Sequence, residues 1–379
     1  RPNNPGFSRH KMWYSPFNTG AGFAMGILAG AEMTTFEMRF IALRCKDTIA
    51  PVGTIAQGVG ARQMNSHGEI YETKYGLTTS QRLYGTVTEN REGRGPCYLK
   101  TDEISAAQEQ DLYRAYLNMA PSQTLKWLEG SRGPASENVE IEGTEPYIVG
   151  GHTASGYWVD NGRRTTVKGL FGCPQKYVTG ALAEGEIAAE SMTKYLKNLN
   201  ADSEKSNAIK KIETKIDNAS ILKKKEYEAH LTAEGKDSED TFFITAEQLE
   251  EAMQKVMDQY AGGIATDYQY NEERLVIGKK RIGELLGMID ELKAKDMFEL
   301  KDIYEVRERL IVCQTLIEHL RARKETRWHS FGENTDYPEE SNQWLKYVNS
   351  KRKPDGGTEI IFRELVTGGK VYECTDFTE

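Results

Sequence analysis

The sequence predicts an α+β protein whose second half is a helical bundle, and three observations carry that expectation. The first 145 residues are rich in glycine, aromatics and short polar turns, with apolar and polar positions alternating over runs such as 38–44 and 68–76. Residues 185–330 are instead dominated by Lys, Glu, Leu and Ile at helical spacing, the pattern of amphipathic helices. At 379 residues the chain exceeds the roughly 100 to 200 residues of a single domain, so two or three units are expected.

The elements follow in order. Gly20, Gly22, Gly26 and Gly30 strip bulk from a helix across residues 17–31, so its face can approach another backbone or a cofactor. Candidate strands at 59–65 and 69–73 flank a Ser66-His67-Gly68 turn. Residues 106–130 give two helices broken at Pro121, with Gly130 as a stop. A strand-like run at 156–160 leads through a polar turn and Thr166 to a second short strand ending at Gly169-Leu170-Phe171, and a small-residue helix begins near Thr179.

Beyond Glu184 come four or five helices. Stretches 194–211 and 212–234 are highly charged, and Thr245 with Gln248 forms a capping box opening a helix that ends at Gly262. Leu275, Ile282, Leu285, Ile289 and Leu292 line one helical face, and Tyr304, Leu310, Cys313, Ile317 and Leu320 line another after a break at Lys295-Asp296. Such stripes are core packing and carry no chemistry. The basic group Arg321, Arg323 and Lys324 reads as a solvated helix C-terminus, where cations meet the helix dipole.

Composition narrows the class of function. Hydrophobic residues make up 38% and charged residues 28% of the chain, as in a soluble globular protein. The compact apolar stretch 23–31 falls short of the roughly 20 residues a membrane helix needs, so no membrane span is expected. A net charge of −8 disfavours nucleic acid as a partner, while local arginines leave a small anionic substrate open. Cys45, Cys97, Cys173, Cys313 and Cys374 are widely spaced without a CxxC pair, which argues for free thiols rather than disulfides, a metal site or an iron–sulfur cluster. No leader-like run opens the sequence, so a cytoplasmic location is expected.

Several residues could carry chemistry. His152 lies in the turn Gly150-Gly151-His152-Thr153 before a strand, where its ring meets little neighbouring bulk; a satisfied structural histidine is the alternative. Arg44, in Leu43-Arg44-Cys45-Lys46-Asp47, offers a planar fork for sulfate, phosphate or carboxylate, against the alternative of a surface ion pair. Trp13 sits in an aromatic cluster that could equally be core, and Arg94 lies in a Gly93-Arg94-Gly95-Pro96 turn.

Three motif series, in chain order, resemble the succinate dehydrogenase, fumarate reductase and adenylylsulfate reductase flavoproteins. His152 to Asp160, with Arg164-Thr165-Thr166 and Gly169-Leu170-Phe171, is similar to the line that precedes the flavin loop of that superfamily. Arg327, Asp336-Tyr337-Pro338 and Trp344-Leu345-Lys346 resemble its line after the helical domain. Gly30-Ala31-Glu32-Met33, Glu37-Met38-Arg39-Phe40, Arg44-Cys45-Lys46-Asp47 and Pro51-Val52-Gly53 resemble the adenylylsulfate reductase α subunits specifically.

The resemblance implies a remnant of an FAD-binding α/β domain over 1–35 and its returning part over 143–190. It also implies a capping domain over 36–142, a helical bundle over 191–330 and a C-terminal extension over 331–379. It implies that Arg44 and His152 are catalytic and that Trp13, Gly53, Arg94 and Tyr177 border the substrate. Gly180, Ala181, Leu182 and Glu184 would open the helix against the flavin of a bound FAD, and an iron–sulfur β subunit would deliver electrons. The activity implied is conversion of adenylylsulfate and two electrons to AMP and sulfite.

The chain departs from the family pattern in three places. The fingerprint GxGxxG is absent, Phe171 runs directly into Gly172-Cys173-Pro174 where relatives carry an FAD-holding loop, and Ala21 with Ile55-Ala56-Gln57 replaces familiar family residues. Two other readings therefore stand beside the first: a dicarboxylate oxidoreductase of the fumarate reductase type, and a domain fragment that binds no FAD.

Overall fold

The computed structural model describes residues 19–146, 148, 155–173, 178–198, 203–230, 244–327 and 332–366. Their apolar side chains gather into two cores. The first is built on a helix, α11 (Met297–Ala322), that is buried almost all round, from Leu300 and Ile303 through Leu310 and Cys313 to Leu320. From Ile303 to its end no residue of this helix is exposed, which marks it as central. It packs against α9 (Ala246–Tyr260), α10 (Glu272–Gly287) and α1 (Ala21–Leu28).

Local chemistry sets these helix starts. Asp296 accepts from the Phe298 and Glu299 N–H groups at 2.8 and 3.0 Å, and Asn271 accepts from the Arg274 N–H at 2.9 Å. Thr245 and Gln248 form the expected capping box. Two longer helices, α7 (Val178–Asn198) and α8 (Ser203–His230), precede them in the chain.

One antiparallel sheet, in the order β10-β9-β1-β6, joins this core from distant parts of the chain. In it β1 (Met33–Thr34) pairs on one side with β6 (Gly156–Tyr157) and on the other with β9 (Lys346–Arg352), and β9 forms a hairpin with β10 (Thr358–Glu364). The close packing expected at Gly26 is real: a Cβ there would lie 2.3 Å from Cε1 of Tyr157, whose hydroxyl donates to the Gly22 carbonyl.

The second core lies between residues 41 and 143. Its sheet runs β2 (Leu43–Cys45), β5 (Val139–Gly143), β4 (Cys97–Leu99), β3 (Gln63–Met64). Around it lie α2 (Gly53–Gly58), α3 (Glu72–Tyr75), α4 (Thr79–Arg91), α5 (Ala106–Met119) and α6 (Pro121–Glu129). Cys45 and Cys97 both face Ile141 in register, and all three are buried.

Between the two cores, β7 (Gln269–Tyr270) and β8 (Glu333–Asn334) form a short parallel ribbon. Tyr270 belongs to the first core and Tyr268 to the second. Asp267 and Tyr268 take φ values of 49° and 63°, a left-handed turn that costs non-glycine residues about 1 kcal/mol or more each.

A buried polar cluster ties β1 to the far end of α11. Arg323 donates to Glu37 at 2.9 Å, to Glu325 at 2.9 Å, and to the Trp344 and Lys346 carbonyls at 2.9 Å each. Arg323 is 1% exposed, which corrects its expected place on a solvated helix end: acceptors from residues 37, 325, 344 and 346 surround it. Arg321 keeps the expected surface position, paired with Glu272.

Three further expectations change. The strand expected at 69–73 is a single bridge at Ile70 followed by α3. Asn65 Oδ1 accepts from the His67 and Glu69 N–H groups, and the Glu72 carboxylate accepts from the Gln63 N–H, so local side chains take donors a longer ladder would use. The strand expected to end at Phe171 is likewise one bridge, Arg164↔Phe171, closed by a turn in which Thr165 donates to the Leu170 carbonyl. The boundary expected between residues 211 and 212 falls inside α8. The helix pair broken at Pro121 and the helix opening near Thr179 form as expected.

Candidate functional site

Arg44 is the middle residue of β2, one strand from Glu142 in β5. Neighbouring strand residues point to opposite faces, so Arg44 turns away from the Cys45–Ile141–Cys97 row and shares a face with Glu142. A tight loop then folds back on the strand: Arg44 bridges to Pro51, and the Cys45 N–H donates to the Ala50 carbonyl at 2.9 Å. Asp47 and Ile49 take positive φ within it, and Tyr116 donates to the Pro51 carbonyl. The loop delivers exposed Gly53, at the start of α2, two residues beyond the partner of Arg44. Sequence reasoning put these two residues in one pocket, and the bridge brings their chain segments together.

Arg94 precedes β4 at the end of the sheet where Leu43 enters and Gly143 leaves. Its guanidinium is committed to α4, with Nε 2.6 Å from one oxygen of buried Glu89 and Nη2 2.7 Å from the other, and a further contact to Glu92. Those hydrogen bonds hold the Glu89 carboxyl down to about 2. Asn65 and Tyr75 also donate to Glu89. An anion would reach Arg94 only in competition with this carboxylate. Glu89 is the residue the sequence reading missed, although its place five residues before Arg94 in a Glu-rich turn was the available signal.

The first turn of α7 carries Gly180, Ala181 and Leu182, of which Ala181 and Leu182 are exposed. Glu184, four residues after Gly180 and so one turn along the same side of the helix, is buried and ion-pairs with Arg163. Gly180 and Ala181 put little side-chain bulk on this turn, whereas the Glu184 carboxylate is already engaged by Arg163. His152, Trp13 and Tyr177 lie outside the described residues.

Another constellation has catalytic residue types without catalytic access. His319 Nε2 lies 2.7 Å from Ser350 Oγ and its Nδ1 lies 3.0 Å from Glu37. All three are at most 1% exposed, so no substrate reaches the hydroxyl, and the trio ties β9, α11 and the loop after β1 together. Among the described residues no group of His, Cys, Asp and Glu is arranged to hold a metal, and no helix is long and apolar enough to cross a membrane.

No family model matches the sequence. The adenylylsulfate reductase α subunit of Megalodesulfovibrio gigas is 28% identical over a match covering 96% of this chain and 63% of its own length. The solved adenylylsulfate reductase of Archaeoglobus fulgidus superimposes with a TM-score of 0.80 at 29% identity, over 94% of this chain and 63% of that one. The chain is thus similar, in sequence and in fold, to adenylylsulfate reductase subunits. A quinol–fumarate reductase chain superimposes with a TM-score of 0.72 at 15% identity, over 98% of this chain and 67% of that one, which establishes a shared fold. The chain thus spans about 63% of the length of the adenylylsulfate reductase subunits it matches. The sequence match runs over 426 positions against 379 residues here, so the relative carries internal segments that this chain lacks.

Proposed function

We propose that this chain is the substrate-binding portion of an adenylylsulfate reductase-like flavoenzyme, in which Arg44 and His152 act on the sulfur-bearing anion. The observation that carries the reading is the Arg44 loop, a half-buried arginine of an edge strand bridged to Pro51, two residues before Gly53, in a chain 28% identical to such a subunit. Trp13, Gly53 and Tyr177 would line the nucleotide, and Arg94 would join them on release from Glu89. Arg44 would hold the anion by charge-assisted hydrogen bonds, which place and polarise it without a proton changing hands. His152 would add a second donor, and a dry pocket strengthens both.

The first turn of α7 would hold the ring of FAD, which supplies two-electron transfer when bound. The reading is supported by the exposure of Ala181 and Leu182 and the missing side chain of Gly180, which leave room for the ring. The sequence offers no GxGxxG cradle for the pyrophosphate, and the internal segments present in the relative are missing here, so the tail of the cofactor needs groups beyond those described. Electrons would come from an iron–sulfur β subunit, since the cysteines of this chain form no cluster motif.

The visible spectrum of the purified chain mixed with FAD is the first test. Bound flavin with turnover of AMP plus sulfite supports the proposal. Turnover of fumarate instead moves the assignment to a dicarboxylate enzyme, and no flavin uptake assigns the chain to a fragment without activity of its own. In an active preparation Arg44→Ala is expected to lower kcat/KM by about 100-fold, the scale of losing one transition-state donor. Unchanged kcat/KM would remove Arg44 from the site.

A further inference from the structure

We propose that Tyr268, a residue of the ribbon between the two cores, is a positioning residue for Arg44; this rests on the reading of Arg44 as the anion ligand. The route is short and consists of hydrogen bonds. The Tyr268 hydroxyl donates to the Thr144 carbonyl at 2.9 Å. Thr144 grips Ala42 twice: its N–H donates to the Ala42 carbonyl at 2.9 Å, and its Oγ1 accepts from the Ala42 N–H at 3.1 Å. Ala42 is two residues from Arg44, and β2 and β5 continue the same ladder through Leu43↔Gly143 and Arg44↔Glu142.

The surroundings are shaped for this one ring. Tyr268, the residue just before β7, is 4% exposed and belongs to the second core, although Tyr270, two residues on, belongs to the first. Consecutive left-handed residues, Asp267 and Tyr268, turn the side chain across. Gly143 leaves room for the hydroxyl: a Cβ there would lie 2.2 Å from it. The Tyr268 backbone is pinned from the other side, its N–H donating to the Gly263 carbonyl at 2.9 Å and its carbonyl accepting from the Glu333 N–H at 3.0 Å. A second tie runs the opposite way, with Arg91 of α4 donating to Glu333 at 3.0 Å. The helical body therefore holds the strand end that carries Arg44 through a tyrosine fixed at both ends. Burial raises the hydroxyl well above the usual tyrosine range, so it stays a donor across the physiological range.

Amide hydrogen exchange on the full chain tests this without flavin or substrate. Tyr268→Phe keeps the ring and removes the donor, and a neutral hydrogen bond is worth about a two- to tenfold change in an equilibrium. Exchange is expected to speed up by that factor at residues 42–45 and 142–145, with the amides of α10 and α11 unchanged. Gly143→Ala, which displaces the hydroxyl from the other side, should give the same local pattern. Unchanged exchange at 42–45 in both variants overturns the proposal, as does an equal rise in both cores, which would mark a merely structural tyrosine. The result stands apart from the flavoenzyme reading: a failure of Arg44→Ala to alter turnover would leave this exchange pattern untouched, and a silent Tyr268→Phe would leave Arg44 in its role.

Discussion

Replacing Arg323 by methionine should destabilise the protein far more than the same change two residues earlier. Arg323 donates to two buried carboxylates and to two partly buried carbonyls, and its guanidinium lies 5.8 Å from the centroid of the Trp344 ring. Methionine preserves length and leaves Glu37 with His319, and Glu325 with Arg327 and the Ser341 N–H. Removing one partner from a buried ion pair costs about 3–5 kcal/mol where the remaining charge is left uncompensated, and the partners that Glu37 and Glu325 keep place this change at the lower end of that range. Set against a total stability of about 5–15 kcal/mol, that is a large fraction. At a urea slope near 3 kcal/mol/M it moves the midpoint down by roughly 1 M or more.

Arg321→Met is the internal control, since its partner Glu272 is 40% exposed at the side chain and such pairs contribute about 0–1 kcal/mol. Arg323→Lys should fall between, keeping a charge while losing the fork. Urea unfolding followed by circular dichroism reads all three. Equal midpoints for the Arg323 and Arg321 methionine variants would refute the reasoning, because burial would then not separate them.

Two more outcomes follow from the same structure. Gly26→Ala should cost about 1–3 kcal/mol by forcing a Cβ into the Tyr157 ring, with Tyr157→Leu in the same chain recovering part of the loss in thermal denaturation. Glu89, held down to about 2 in the folded state against 4.5 for a free glutamate, contributes stability that is complete above pH 4.5 and is lost as the pH falls toward 2. Thermal midpoints measured between pH 7 and pH 3 should therefore drop more steeply for the parent than for Glu89→Gln, and parallel curves would contradict the pairing with Arg94.

What the sequence made legible was mostly local. The Thr245/Gln248 box, the break at Pro121 and the helix near Thr179 depend on residues within a turn of one another, and each forms where expected. The small face of α1 was also readable, because glycines within the helix (Gly22 and Gly26) and just beyond its ends (Gly20 and Gly30) demand a close neighbour, although nothing identified that neighbour as Tyr157. Arg323 was misread since its acceptors come mainly from residue 37 and from residues beyond 340, a separation no window covers. The strand at 69–73 failed because Asn65 and Glu72 side chains capture backbone donors, an outcome decided by rotamers. At the candidate site, the resemblance named Arg44 and Gly53, whose chain segments the Arg44↔Pro51 bridge brings together; the capture of Arg94 by Glu89 was open to a local reading, whereas that of Glu184 by Arg163 is visible only in three dimensions.

The row Cys45, Ile141, Cys97 across three strands has a chemical consequence for handling the protein. Two ladder spacings separate the cysteine Cα atoms by roughly 10 Å, beyond the about 7 Å a disulfide tolerates. Burial also pushes Cys45 up to about 12 and Cys97 up to about 11, which leaves almost no thiolate at neutral pH. Oxidants and alkylating reagents should pass both by. Cys313 is enclosed within the helical core, pushed up to about 12 in the same way. Among the described cysteines that leaves exposed Cys173, two residues past Phe171, as the natural attachment point for a maleimide dye.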